Sequence, residues 1–134
     1  MRWIVDGMNV IGSRPDGWWK DRQRAMVTLT DRLDQWAHAQ QEAVTVVFER
    51  PPSTPIRSSL VEVAYAARAA ANSADDEIVR LVQAYARPGE IRVVTSDRAL
   101  AERVRSLGAS VIRAEGFRDL IDPRNAKSEG RHAD

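Results

Sequence analysis

Short β-branched runs alternate with helical stretches along this chain, and that alternation leaves few folds open. Arg2 to Val5, Ala43 to Phe48, Ile91 to Thr95 and Ala109 to Ile112 read as buried strands. Lys20 to Gln41 has helical spacing, with Met26, Leu29, Leu33, Trp36 and Ala37 on one side. Asp75 to Ala86 reads as a second helix, with Ser73 as its N-cap and Glu77 in its first turn. Asp97 to Ser106 reads as a third, closed by Gly108. Leu60 to Tyr65 alternates loosely, so a strand is expected there, followed by a loop through Asn72 and Ser73. Asp6 to Gly17, rich in Gly, Asn, Ser and Pro, is expected to be a loop, as is Glu49 to Pro55. Gly116 to Ile121 suggests one more helical turn. Strands alternating with helices imply parallel pairing and a three-layer α/β/α fold. In such folds the functional crevice lies beyond the carboxyl ends of the strands.

The aspartates sit where that crevice is expected. Asp6 closes the first run, Asp97 follows the run Ile91 to Thr95, and Asp75 and Asp76 stand at a helix start. Each alone has an ordinary explanation as a turn former, a cap or a partner of the helix dipole. Their recurrence at three ends that the sheet brings to one edge suggests a single carboxylate cluster. Converging carboxylates repel one another and raise their own pKa values, a penalty that a divalent ion removes. Oxygen donors suit Mg²⁺ or Mn²⁺. Such an ion activates water and stabilises charge on a phosphate, so a phosphodiesterase needs acids and no histidine. Asn9 is placed to orient Asp6 or a water, or to stabilise its own loop. Glu49, at the end of the second strand, is an outer contact or a solvated side chain.

Composition narrows the alternatives. With 134 residues the chain suits one domain, expected over 1–121, with a polar tail over 122–134 expected to be disordered. There is no cysteine, so thiol catalysis, disulfides and cysteine zinc sites are excluded. His38 and His132 are far apart, which gives a His-rich metal site or a Ser-His-Asp triad little support. The net charge of +1 says little about partners. Arginine outnumbers lysine, which fits phosphate recognition and fits a GC-rich genome equally well. The N-terminus does not read as a signal peptide, and no apolar run approaches the roughly 20 residues of a membrane span. A soluble cytoplasmic protein without membrane association is expected.

Candidate substrate contacts cluster after the first strand. Ser13 and Arg14 lie in the first loop, and Trp18-Trp19 is followed by Lys20 and Arg22. Aromatics beside basic residues stack bases and hold phosphates of single-stranded nucleic acid. The bland reading is that a tryptophan packs on the core, and one packed with one exposed ring is expected. Ser96, beside Asp97, is placed with these contacts or is simply part of a helix opening. Arg24, Arg50 and Arg57 extend the basic rim.

Three segments resemble a known family. Val5-Asp6-Gly7-Met8-Asn9-Val10-Ile11, Ser73-Ala74-Asp75-Asp76-Glu77-Ile78 and Val94-Thr95-Ser96-Asp97 are similar to the motifs of the NYN domain family, in its YacP-like branch, within the PIN-like nucleases. The similarity runs from about Trp3 to Ile121. It implies a PIN-like fold with strand order 3-2-1-4-5, which sets the first and fourth strands side by side. It also implies Mg²⁺- or Mn²⁺-dependent endoribonuclease chemistry. Asp6 and Asn9 match the D-G-x-N motif, Asp75 the A-D-x-x-I pattern, Asp76 the second acid of D-D relatives, and Asp97 the T-S-D acid. Some PIN-like nucleases carry another acid about four residues after that last Asp. Here the position is Ala101, which favours one tightly held metal.

The expected function is therefore a metal-dependent endoribonuclease acting on single-stranded RNA. The alternative is a non-catalytic PIN-like module that binds RNA or protein. No feature identifies a ribosome or RNA-processing partner. A haloacid-dehalogenase phosphatase needs a second Asp two residues after the first, and Met8 occupies that position. No G-x-x-x-x-G-K-[ST] loop supports a nucleotide-triphosphate enzyme.

Overall fold

The computed structural model describes residues 1–13, 17–51, 53–66 and 73–122. The apolar runs become five strands: β1 (Arg2–Asp6), β2 (Ala43–Phe48), β3 (Glu62–Tyr65), β4 (Ile91–Val94) and β5 (Ser110–Ile112). They form one all-parallel sheet in the order β3-β2-β1-β4-β5. The helices are α1 (Gly7–Gly12), α2 (Arg22–Gln40), α3 (Ser73–Ala84), α4 (Arg98–Ser106) and α5 (Ala114–Ile121).

The period-2 geometry of the strands divides the core into two layers. Trp3, Val5, Val46, Phe48 and Val94 pack with residues of α1, α2 and α5. Ile4, Val47, Ile91 and Val93 pack with Ile78 and Val82 of α3 and Leu100 and Val104 of α4. Trp3, Trp36 and Phe117 close the first layer, with ring centroids 5.0–5.4 Å apart. That aromatic cluster fixes α2 and α5 against the central strand. Asp21 starts α2 by accepting the Arg24 N–H at 3.0 Å. Gly108 follows α4 with φ +102°, a conformation that favours glycine.

Several expected boundaries move. The segment Asp6 to Gly17, expected as a loop, contains helix α1, and Trp18–Lys20 forms a 3₁₀ turn before α2. Gly7 works there through its size: a Cβ would lie 2.5 Å from Phe48 Cε1. The third strand begins at Glu62, because Asp34 takes the chain just before it. Its carboxylate accepts the N–H groups of Ser59, Leu60 and Val61 at 2.9–3.1 Å. Helix α3 starts at Ser73, so the expected cap residue lies inside it. Helix α5 starts at Ala114 and is longer than the single turn expected. Asn72, Arg14 and the tail beyond Asp122 lie outside the described residues. No helix among the described residues is long and apolar enough to cross a membrane.

Candidate active site

Strand order places β1 and β4 side by side, with Val5 opposite Val94. The residues that follow both strands therefore meet at one sheet edge. Asp6 ends β1 and is only 6 % exposed. Its Oδ2 accepts a hydrogen bond from Thr95 Oγ1 at 3.0 Å. The same hydroxyl oxygen accepts the Asp97 N–H at 3.1 Å. Thr95 thus orients Asp6 and the backbone of Asp97 together. Sequence reasoning passed over it as part of a motif and not as a functional group.

A second clasp runs beside the first. Asn9 Oδ1, on α1, accepts the Ser96 N–H at 2.8 Å. Ser96 Oγ donates to Glu115 Oε2 at 2.8 Å and accepts the Ala114 N–H at 3.0 Å. The Ser96 hydroxyl is therefore engaged in joining the β4–α4 turn to α5. Glu115, also unforeseen, is held below the usual carboxylate range, chiefly by the Ser96 hydrogen bond. The Asn9 amide ties α1 to the β4–α4 turn. Asp97 caps α4, its Oδ1 accepting the Leu100 N–H at 3.0 Å.

The charges of the acids act on one another across this edge. Burial pushes the Asp6 carboxyl up to about 7, and the charges of Asp75 and Asp97 push in the same direction, against the hydrogen bonds from Thr95 and Asn9. Asp75 is pushed up to about 6, first by burial and then by Asp97, with further contributions from Asp76 and Glu49 against the nearby Arg103. Asp75 thus feels both Asp97 and Glu49, and Asp6 feels Asp75 and Asp97, across the carboxyl edge of the sheet. Asp76 points elsewhere. Its carboxylate is 77 % exposed and pairs with Arg103 Nη1 at 3.2 Å. Successive residues of a helix lie about 100° apart, so Asp75 and Asp76 leave α3 in different directions.

The donor set fits a hard divalent cation in chemistry, being entirely carboxylate and amide oxygen. Among the described residues, no three His, Cys, Asp or Glu side chains are close enough to enclose a metal directly. The arrangement suits an ion held through one or two carboxylates with its remaining ligands water, as Mg²⁺ commonly is. It does not suit a closed zinc site, since neither Cys nor His is present in the cluster.

The candidate substrate contacts divide by exposure. Trp18 packs against the first core layer, and Trp19 is 57 % exposed. Their rings meet edge to face at 6.0 Å, and the Arg22 guanidinium lies 5.5 Å from the Trp18 centroid. Lys20 and Arg22 are exposed. Ser13 closes α1, its Oγ donating to the Val10 carbonyl at 2.6 Å. Its own carbonyl accepts from Arg118 Nη1.

The arrangement of strands and helices has a counterpart among solved structures. The crystal structure of Rae1 (YacP) from Bacillus subtilis superposes with a TM-score of 0.78 at 24 % identity, covering 99 % of this chain and 80 % of that one. A mutant of the same protein gives 0.76 at 24 % identity, covering 98 % and 80 %. No curated protein sequence matches. The family model described as the YacP-like NYN domain matches residues 3–133, and so takes in β1 with Asp6, the start of α3 with Asp75, and the Thr95-Ser96-Asp97 turn. This chain belongs to the YacP-like NYN domain family, a PIN-like nuclease family with RNA-related function.

Proposed function

We propose that this chain is an Mg²⁺- or Mn²⁺-dependent endoribonuclease that hydrolyses phosphodiester bonds of single-stranded RNA, acting in the cytoplasm. The observation that carries the reading is the buried Asp6 together with the half-buried Asp75, each carboxyl pushed up toward neutrality by burial and by neighbouring acids at the carboxyl edge of the sheet. Structural caps gain nothing from mutual repulsion, whereas a cation site does. Asp6, Asp75 and Asp97 are the residues that would hold the ion, one or two of them directly and the rest through its water ligands. When bound, it supplies an activated water and stabilises charge on the phosphate. Thr95 holds the Asp6 carboxylate at Oδ2, and Asn9 fixes the turn that carries Asp97. Asp76 shapes the field at Asp75 from outside, paired to Arg103. The exposed Trp19, Lys20 and Arg22 hold the strand by stacking and phosphate contact. Choice of RNA over DNA rests on the family.

A non-catalytic RNA-binding module is the second reading. It is favoured by the engaged Asp97 carboxylate and by the lack of three acids at direct metal distance among the described residues. Calorimetric Mn²⁺ titration of the wild type and Asp97→Asn, with cleavage of a labelled single-stranded RNA by the same samples, separates the two. Asparagine is an equally good helix cap, so the fold of the variant is retained. Binding and cutting by the wild type alone support the nuclease. An RNA bound but never cut, with no Mn²⁺ heat, supports the module.

A further inference from the structure

A groove of about 320 Å³ opens along α1, α2 and α5 and contains none of the clustered acids. Its floor is apolar, from Val10, Ile11, Trp18 and Leu29. Lys20, Arg24, Arg32 and Arg118 line it against a single acid, Asp21. The Asp21 carboxylate is already engaged as the cap of α2. Among the described residues, Lys20, Arg24 and Arg32 have no ion-pair partner. Arg118 is anchored by Asp119 and by the Ser13 carbonyl. An apolar lining that includes an aromatic ring, with four cations beside it, complements a nucleotide, with its π-faced base and its phosphate.

The groove and the carboxylate cluster share α1. Asp6 and Asn9 at its start serve the cluster, and Val10 and Ile11 near its end line the groove. A helix of six residues rises about 9 Å, so one strand can touch both. We infer that this groove is a second RNA subsite, seating one nucleotide of the strand away from the bond that is cut. It sets which part of the strand reaches the carboxylates, and it rests on the RNA-cleaving function above.

The test is binding of a fluorescent single-stranded RNA in EDTA, so that neither cleavage nor metal contributes. Wild type, Arg87→Gln, Arg24→Gln/Arg32→Gln and Arg24→Lys/Arg32→Lys are compared over a range of salt, Arg87 being an exposed arginine paired with Glu90 outside the groove. The expected result is affinity unchanged in Arg87→Gln and about tenfold weaker in the glutamine double variant. The dependence of log K on log salt should fall by about 1.4 for two lost phosphate contacts. The lysine variant should restore that dependence, which a merely structural role would not. Wild-type affinity in the glutamine variant overturns the groove while leaving the RNA reading intact. A 5′-AMP site lost in that variant with RNA affinity unchanged also overturns it, in favour of a free mononucleotide. No RNA binding by the wild type overturns both.

Discussion

Replacing Asp6 by Asn should stabilise the metal-free protein, and the gain should depend on pH. Asp6 is 6 % exposed and its carboxyl is pushed up to about 7, from 3.8 in the unfolded chain. Between those values the folded protein keeps a proton that the unfolded chain releases. Stability therefore falls as pH rises through the window from about 4 to about 7, and the loss is complete above it. The difference in pKa corresponds to a cost of about 4 kcal/mol at pH 8. The cost is under about 2 kcal/mol at pH 5 and vanishes near pH 3. Asn carries no charge at any of these pH values, and its side-chain oxygen can still accept from Thr95 Oγ1. Asp6→Asn should thus melt roughly 10 °C above the wild type at pH 8 in EDTA and level with it at pH 3. Urea denaturation at pH 3, 5 and 8 reads the same quantity at 25 °C. Saturating Mn²⁺ should narrow the gap at pH 8 by stabilising only the wild type. A gap of equal size at every pH, or a variant less stable at pH 8, would refute the claim that buried charge at Asp6 is held against its own preference.

In the proposed metal site protons would compete with the cation for Asp6 and Asp75, so cleavage by the wild type should rise steeply between about pH 6 and pH 7; a flat pH–rate profile across that range contradicts the assignment. Trp19→Ala should weaken single-stranded RNA binding by about 1–3 kcal/mol with no change in melting temperature, measured by fluorescence anisotropy and calorimetry. Trp18→Ala should lower stability, because its ring packs on the core. Gly7→Ala forces a Cβ within 2.7 Å of two Phe48 ring atoms, and should cost about 1–3 kcal/mol in denaturant unfolding. Thr95→Val removes the donor to Asp6 and the acceptor for the Asp97 N–H, so both stability and cleavage should fall, the former by about 1–3 kcal/mol.

The centre of the sheet was legible because β1, β2 and β4 are largely buried and are therefore nearly continuous apolar runs, whereas the edge strand β3 is half-exposed and alternates only loosely. The acids at strand ends were legible because parallel sheets gather those ends. Helix α1 was hidden, since six residues cannot display a period and Gly7, Asn9 and Gly12 read as turn formers. Gly7 is there for contact with Phe48, 41 residues away in sequence, which no local pattern reveals. The same holds for Thr95 and Glu115, whose partners lie on other elements. The divergence of Asp75 and Asp76 was within reach of the sequence, because neighbours on a helix face different ways. The groove escaped because its cations come from the 3₁₀ turn, α2 and α5, with no shared spacing.

Asp6 and Thr95 are 89 positions apart, yet a hydrogen bond joins them at the carboxyl edge of the sheet. The middle strand of the sheet is the earliest of the five along the chain, and one of its two neighbours, β4, is the next to last. During synthesis β1 can pair with β2 long before β4 emerges, so a half-built sheet waits with one side of its central strand open. In that state Asp6 has neither Thr95 nor Asp97 beside it. The carboxylate edge of the sheet is thus completed only when most of the chain has left the ribosome, and the order of the strands delays whatever that edge does until the fold is nearly whole.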